Sequence, residues 1–133
     1  MKKVIFLIFL TGALSAVAFA QKTCTYPVVV SFNSMCCGVP SSSPVIKLIK
    51  IFKKQYKIKQ VAVDSIGPLG REGEYYLAFR LKEFSKAQKI KFIQQLKKTA
   101  AGMKEQGFAD VKENETINKA DLSPSAAVTL LKL

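Results

Sequence analysis

Two helical segments, each apolar on one side and lysine-rich on the other, alternate with four β-prone segments, and this order limits the fold more than any other feature. The first helix is predicted to begin after Ser43 and the second after Ser85, where Ser85-Lys86-Ala87-Gln88 forms a capping box. Their apolar residues recur every three or four positions, as an amphipathic helix requires. β-branched and aromatic residues predict strands over 26–32, 60–66, 74–82 and 108–113.

This order is typical of the split βαβ arrangement, so we predict an α+β fold of the ferredoxin-like type, β-α-β-β-α-β. Its four-stranded antiparallel sheet would carry both helices on one face. The same topology places the loop 33–43, the hairpin 67–73 and the turn at Gly107 at one end of the sheet. The predicted domain covers residues 21–113. Residues 114–133 are predicted to be a C-terminal tail, in which Ser123-Pro124 could start a short helix.

The first twenty residues have the three parts of a secretory signal peptide. Lys2 and Lys3 precede the apolar run Val4–Leu10, and Ala18-Phe19-Ala20 fits cleavage by signal peptidase. We therefore predict that residues 1–20 are removed on export and that no membrane span remains. The expected location is the periplasm or the exterior of a bacterium. Of the 133 residues in the chain, those that remain are enough for one domain.

The charge of the exported chain favours anionic partners. Without Lys2 and Lys3, 19 basic and nine acidic residues give a net charge of +10. Nearly all the basic residues are lysine, which favours diffuse attraction over the bidentate phosphate recognition typical of arginine. We expect the partner to be an anionic component of the cell envelope or a protein, and not nucleic acid. The helix lysines are Lys47, Lys50, Lys53, Lys54 and Lys57, with Lys59 following, and then Lys86, Lys89, Lys91, Lys97 and Lys98.

The chain has no histidine, which removes the commonest general base and the commonest metal ligand. The stretch from Gly67 to Glu74 is rich in glycine, and its Arg71, Glu72 and Glu74 could bind a polar ligand. It matches neither the Walker loop nor the dinucleotide fingerprint. No nucleophile accompanies Glu72 and Glu74 as an acid/base pair. We predict no enzymatic activity and no cofactor, and the alternative for this stretch is a structural hairpin with solvated charges.

Ser42 and Ser43 precede the first helix, where their hydroxyls would lie beside free backbone amides. Such a position can bind an anion. The alternative is an ordinary N-cap.

Three cysteines stay in the exported chain: Cys24, Cys36 and Cys37. An odd number in an oxidising compartment leaves at least one thiol without a partner in its own chain. A strand over 26–32 would separate Cys24 from the other two by more than about 20 Å, which is too far for a disulfide. Cys36 and Cys37 could form a strained vicinal disulfide, hold a soft metal such as Cu(I), or have no function.

The position of Met35-Cys36-Cys37, between the first strand and the first helix, resembles that in the heavy-metal-associated domain. That family has a ferredoxin-like fold and a Met-x-Cys-x-x-Cys motif, and the resemblance implies soft-metal binding at the two cysteines. The spacer between the cysteines is absent here, so membership is not inferred.

Three functions remain open from the sequence. The first is a small basic binding module whose ligand is unknown. The second is a soft-metal or thiol-redox protein, and the third is an envelope protein that forms homodimers through its sheet. The candidate ligand-binding residues, which topology would bring to one end of the sheet, are Cys36, Cys37, Ser42, Ser43, Arg71, Glu72 and Glu74.

Overall fold

The computed structural model describes residues 23–133, which form a five-stranded antiparallel sheet and two helices. The predicted signal peptide lies outside the described residues. The α+β class predicted from the sequence is confirmed. The elements are β1 (Thr23–Ser34), α1 (Ser43–Tyr56), β2 (Ala62–Gly67), β3 (Tyr75–Phe79), α2 (Lys86–Ala101), β4 (Gly107–Asn118) and β5 (Ala127–Lys132). Across residues 23–133, neither helix combines the length and apolar composition of a membrane span.

The strands lie in the order β4-β1-β3-β2-β5. The predicted count of four strands is wrong, because β5 pairs antiparallel with β2 from Ala62↔Lys132 to Gly67↔Ala127. Residues 127–132, predicted to be part of a tail that could start a helix, therefore form the strand at one edge. A pattern of six residues with both polar and apolar members is too short to distinguish a strand from a helix.

The main core lies between the sheet and the two helices. The helices bury Val45, Ile49 and Phe52 from α1, and Phe92, Leu96 and Ala100 from α2. All of these except Ala100 belong to one cluster with Val28, Val30, Phe32, Val63, Leu77 and Phe79 of the sheet. The ring of Phe92 lies 5.1–5.5 Å from those of Phe52, Phe79 and Phe84. Both helices therefore cover the same face of the sheet.

The chain itself covers part of the opposite face. Because β4 and β5 lie at opposite edges of the sheet, residues 119–126 cross from one edge to the other. Within this crossing segment, Leu122 packs against a second apolar cluster formed by Tyr26, Val29, Ile66, Ala78 and Ile117. The sheet is therefore packed on both faces, and the last fifteen residues belong to the folded domain.

The side chains of β1 change faces near Pro27. Val28 packs in the main core, whereas Tyr26 packs in the cluster on the opposite face. The residue opposite Pro27 in the β1–β4 register is Asn114, which has a left-handed φ of 51°. Asparagine adopts that conformation more readily than most residues. This local distortion lets both ends of a long strand bury apolar side chains.

Three connections meet at one end of the sheet, as the sequence predicted. They are residues 35–42, 68–74 and 102–106, and we call this region the loop end. Ser34 pairs with Gly107 there, and a Cβ atom at Gly107 would overlap the carbonyl oxygen of Asn33. Only glycine permits that close approach of two backbones.

Candidate functional site

Cys36 and Cys37 are exposed free thiols at the loop end. A hydrogen bond with Cys36 raises the pKa of the Cys37 thiol, and desolvation and the negative charge of Glu72 add to this effect. Glu72 therefore lies close enough to act on Cys37, so the structure brings the cysteine loop and the hairpin together. A raised pKa reduces the fraction of thiolate, which is the form that binds metals and acts as a nucleophile.

Glu74 is part of the hairpin turn. Its backbone carbonyl accepts the N–H of Leu69 at 2.7 Å, and its carboxylate accepts the backbone N–H of Glu72 at 3.2 Å. The side chains of Arg71 and Glu72 are exposed, and within residues 23–133 Arg71 forms no ion pair. These contacts are those expected of a structural hairpin with solvated charges.

Ser42 and Ser43 lie at the start of α1. Ser42 is the N-cap residue by position, one residue before the predicted Ser43, but its side chain makes no capping hydrogen bond. The hydroxyls of Ser41 and Ser43 bond to each other at 2.8 Å. Burial raises the pKa of Tyr75, and hydrogen bonding with Ser42 partly offsets that rise. The hydroxyls of Ser41 and Ser43 therefore already have a partner within the chain.

The loop end gathers the predicted residues without enclosing them. Its depression of about 320 Å³ is lined by Pro40, Ser41 and residues 102–106, together with Pro44, and by none of the seven predicted site residues. Within residues 23–133, no three Cys, Asp or Glu side chains converge as a metal site. The Cys36–Cys37 pair alone would supply two ligands.

The two helices carry lysines and no acidic residue. All nine Asp and Glu residues of the chain lie outside them. Their lysines, which we call the lysine layer, are Lys47, Lys50, Lys53, Lys54, Lys86, Lys89, Lys91, Lys97 and Lys98.

The geometry of the helices directs this charge away from the sheet. Lys47, Ile51 and Lys54 recur at spacings of four and three residues and are exposed on α1. Lys91 and Lys98 take equivalent positions on α2 and are also exposed. Among residues 23–133, the one lysine of the layer in an ion pair is Lys97, which contacts Glu113 of β4. The layer is therefore a solvent-facing cationic surface with little internal neutralisation.

Apolar side chains are exposed among these lysines. Ile51 and Ile90 keep 55% and 52% of their surface accessible. Ile90 and Ile93 line a depression of about 310 Å³ between α2 and β4, whose other lining residues are three lysines, one glutamine and one acidic residue: Lys86, Lys89, Lys97, Gln94 and Glu113. Cationic and apolar groups side by side suit a ligand that is anionic on one part and apolar on another.

One buried polar cluster was not predicted from the sequence. Asp64 is 1% exposed on the sheet face opposite the helices. Its carboxylate accepts the Tyr26 hydroxyl at 2.6 Å and bonds from Nε and Nη2 of Arg80 at 2.8–3.1 Å. We call these three residues the Asp64 cluster. The available signal was a lone charged residue, Asp64, within the predicted strand 60–66, since a buried charge needs partners.

The chain matches no known protein family model, no curated protein and no solved structure. Its function has to be inferred from its own charges and contacts.

Proposed function

We propose that this protein is an exported binding module that uses its lysine layer to bind an anionic surface of the cell envelope. The observation that carries this proposal is that two neighbouring helices on one face of the sheet hold nine lysines and no acidic residue. The predicted signal peptide supports the location, and the low arginine content supports diffuse attraction. No catalytic step is part of the proposal.

The expected strength follows from the number of lysines that can approach the surface together. A lysine near an anionic lipid surface contributes about 1 kcal/mol at physiological ionic strength. Screening shortens the reach of each charge to about 10 Å in 0.1 M salt. Several lysines on a single layer therefore give useful affinity at low salt that falls steeply as salt is added.

Two observations favour the lysine layer over the other hypotheses from the sequence. Within residues 23–133 no third Cys, Asp or Glu side chain joins Cys36 and Cys37 as a metal site, and the raised pKa of the Cys37 thiol disfavours its thiolate. The crossing segment packs on the sheet face that a face-to-face dimer would need. We further propose that β1 to β4 with both helices form a ferredoxin-like unit, to which β5 adds an edge strand.

The experiment is cosedimentation of the purified protein with vesicles of phosphatidylglycerol and phosphatidylcholine across a series of salt concentrations. The test variant replaces Lys47, Lys54, Lys91 and Lys98 with Gln. The control variant replaces Lys82, Lys104, Lys112 and Lys119, all exposed and outside α1 and α2, with Gln. Both variants lose the same net charge, so the comparison isolates the position of the charge.

We expect the test variant to lose at least about tenfold in affinity at low salt and the control variant to lose much less. Binding should fall with salt and be absent from vesicles of phosphatidylcholine alone. Equal losses in the two variants would show that only net charge matters. Binding that does not respond to salt would contradict the proposal altogether.

A further inference from the structure

The outer edge of β5 presents backbone groups without a partner strand in the described chain. The N–H and carbonyl of Leu133 both bond to Val61 of the chain leading into β2, at 3.0 and 2.8 Å. In an antiparallel pair, alternate residues direct these groups to the neighbour and away from it. Thr129 and Leu131 therefore bond toward β2 like Leu133, whereas Val128, Leu130 and Lys132 direct their N–H and carbonyl groups outward.

The two edges of the sheet differ in how well they are protected against pairing with a strand of another chain. Natural edge strands avoid unwanted pairing through charged side chains and local distortions. β4 has both: Asp110, Lys112, Glu113 and Glu115 lie along it, and Asn114 has a left-handed φ. β5 has the sequence Ala-Val-Thr-Leu-Leu-Lys, with one charge at its end, and Leu130 is 46% exposed.

We propose that β5 pairs antiparallel with β5 of a second copy of this chain, with Leu130 at the two-fold axis. Leu130 would then form a hydrogen-bonded pair with the partner's Leu130. Val128 would pair with the partner's Lys132, and Lys132 with the partner's Val128. Two bonds at each pair give about six between the chains. No like charges lie directly opposite each other in this register, which favours the pairing.

The symmetry of this pairing has a consequence for the lysine layer. A two-fold axis between antiparallel strands runs perpendicular to the sheet, so both copies have the same face on the same side. The two lysine layers would lie side by side and could contact one flat anionic surface together. This consequence rests on the proposed function, but the pairing itself does not. Binding through two lysine layers at once gives a higher affinity for the surface than binding through one.

The interface is small, so we expect association to be weak and dependent on concentration. The net positive charge of each copy opposes association at low salt. Added salt therefore strengthens the dimer, whereas it weakens binding to anionic vesicles. The opposite salt responses separate the two proposals.

The experiment is sedimentation equilibrium of the purified protein in about 0.5 M salt, at concentrations from about 10 µM to 1 mM. Leu130→Pro removes one outward N–H and no hydrogen bond within the chain, a position at which edge strands tolerate proline. Leu130→Lys is the second variant, because it places like charges opposite each other while keeping every backbone donor. Thr116→Lys, on the β4 edge, is the matched control.

We expect the mass to rise toward that of a dimer with concentration, and both Leu130 variants to lower the association constant at least about tenfold. Thr116→Lys should associate like the unmodified protein. A monomer mass across the whole range would overturn the inference, and so would equal association in all three variants. Salt-sensitive vesicle binding by a strict monomer would leave the proposed function standing and this inference refuted.

Discussion

The Asp64 cluster shows how a single buried charge is accommodated in this sheet. A carboxylate removed from water costs several kcal/mol unless its oxygens are paired and hydrogen-bonded. Arg80 supplies a bidentate contact, and Tyr26 supplies a further donor at 2.6 Å. Arg80 keeps 41% of its side chain exposed, so its positive charge stays partly hydrated. The cluster joins β1, β2 and Arg80, the residue that follows β3, and its contacts indicate a structural role.

Tyr26→Phe tests the cluster through both stability and pH. The variant should lose about 1–2 kcal/mol of unfolding free energy at neutral pH, because one acceptor site of Asp64 loses its donor. Burial, and then the hydrogen bond to Asp64, raise the pKa of Tyr26 well above its ordinary value. Folding thus favours the protonated phenol. Its contribution is complete below about pH 10 and declines as the pH rises further.

Urea unfolding of the unmodified and variant proteins at pH 7 and at several values above pH 10 would measure this difference. It should shrink as the pH rises. Tyr76→Phe is the control, since its half-buried hydroxyl makes no hydrogen bond among residues 23–133. An equal loss in the Tyr76 variant, or a difference that grows in alkali, would contradict the assignment.

The sequence could not show which distant residues contact each other. Tyr26 and Asp64 are separated by 38 positions, and Asp64 and Arg80 by 16. Neither separation belongs to a local pattern, so only the strand register brings these side chains together. The two cysteines and the Arg71 hairpin could be placed at one end because that placement depends on element order alone. Whether they enclose a cavity depends on side-chain packing, which element order does not determine.

At the scale of elements, the two helices begin differently. Ser85 forms the predicted capping box at α2: its hydroxyl accepts the Gln88 N–H at 3.3 Å, and Gln88 accepts the Ser85 N–H at 2.8 Å. α1 begins with Pro44 and a serine that makes no capping bond with its side chain. Pro44 needs no N–H partner and has a fixed φ suited to a helix start. α1 therefore begins without a capping box.

Ser85→Ala should therefore cost about 1 kcal/mol of unfolding free energy, because it leaves the Gln88 N–H without its partner. Ser43→Ala is the matched change at α1, where the hydroxyl bonds only to the exposed hydroxyl of Ser41, and it should cost much less. Chemical unfolding of the two variants side by side measures the difference. Equal costs would show that the capping box contributes nothing specific.

Elements with a long repeating pattern were predictable, and short ones without it were not. The helices repeat their apolar positions over three or four turns, so the sequence pattern alone predicts that these segments are helical. β4 continues five residues beyond the predicted end at 113 because pairing with β1 extends to Thr23↔Asn118. β5 exists because β2 offers a free edge. In both strands the partner determines the structure more than local sequence does.

At the scale of the whole molecule, the crossing segment and β5 complete the packing of the sheet. A chain that ends at Asn118 loses Leu122 and β5 and exposes Val29 and Ala78 to water. We expect such a chain to lose cooperative unfolding and to bind the dye ANS, because an apolar face without cover favours loose packing. Urea unfolding and ANS fluorescence, compared with the full chain, measure both effects.

Leu122→Ala is a smaller change to the same packing than removal of residues 119–133. This half-buried leucine should contribute roughly 1–2 kcal/mol, about half the loss found for a fully buried leucine. The variant should stay cooperative with a lower midpoint. If the chain ending at Asn118 unfolds cooperatively with the midpoint of the full chain, residues 119–133 do not stabilise the domain.

The alternation of backbone directions along β5 gives this strand a second property, which concerns its amide hydrogens. Those of Thr129, Leu131 and Leu133 point into the sheet and exchange with solvent deuterium only when β5 detaches from its neighbour. Those of Val128, Leu130 and Lys132 point outward and exchange freely in a monomer. Alternate amide protons along this strand therefore report on two different events. Exchange of the inward set measures the detachment of β5 from the sheet, and exchange of the outward set measures dimer formation.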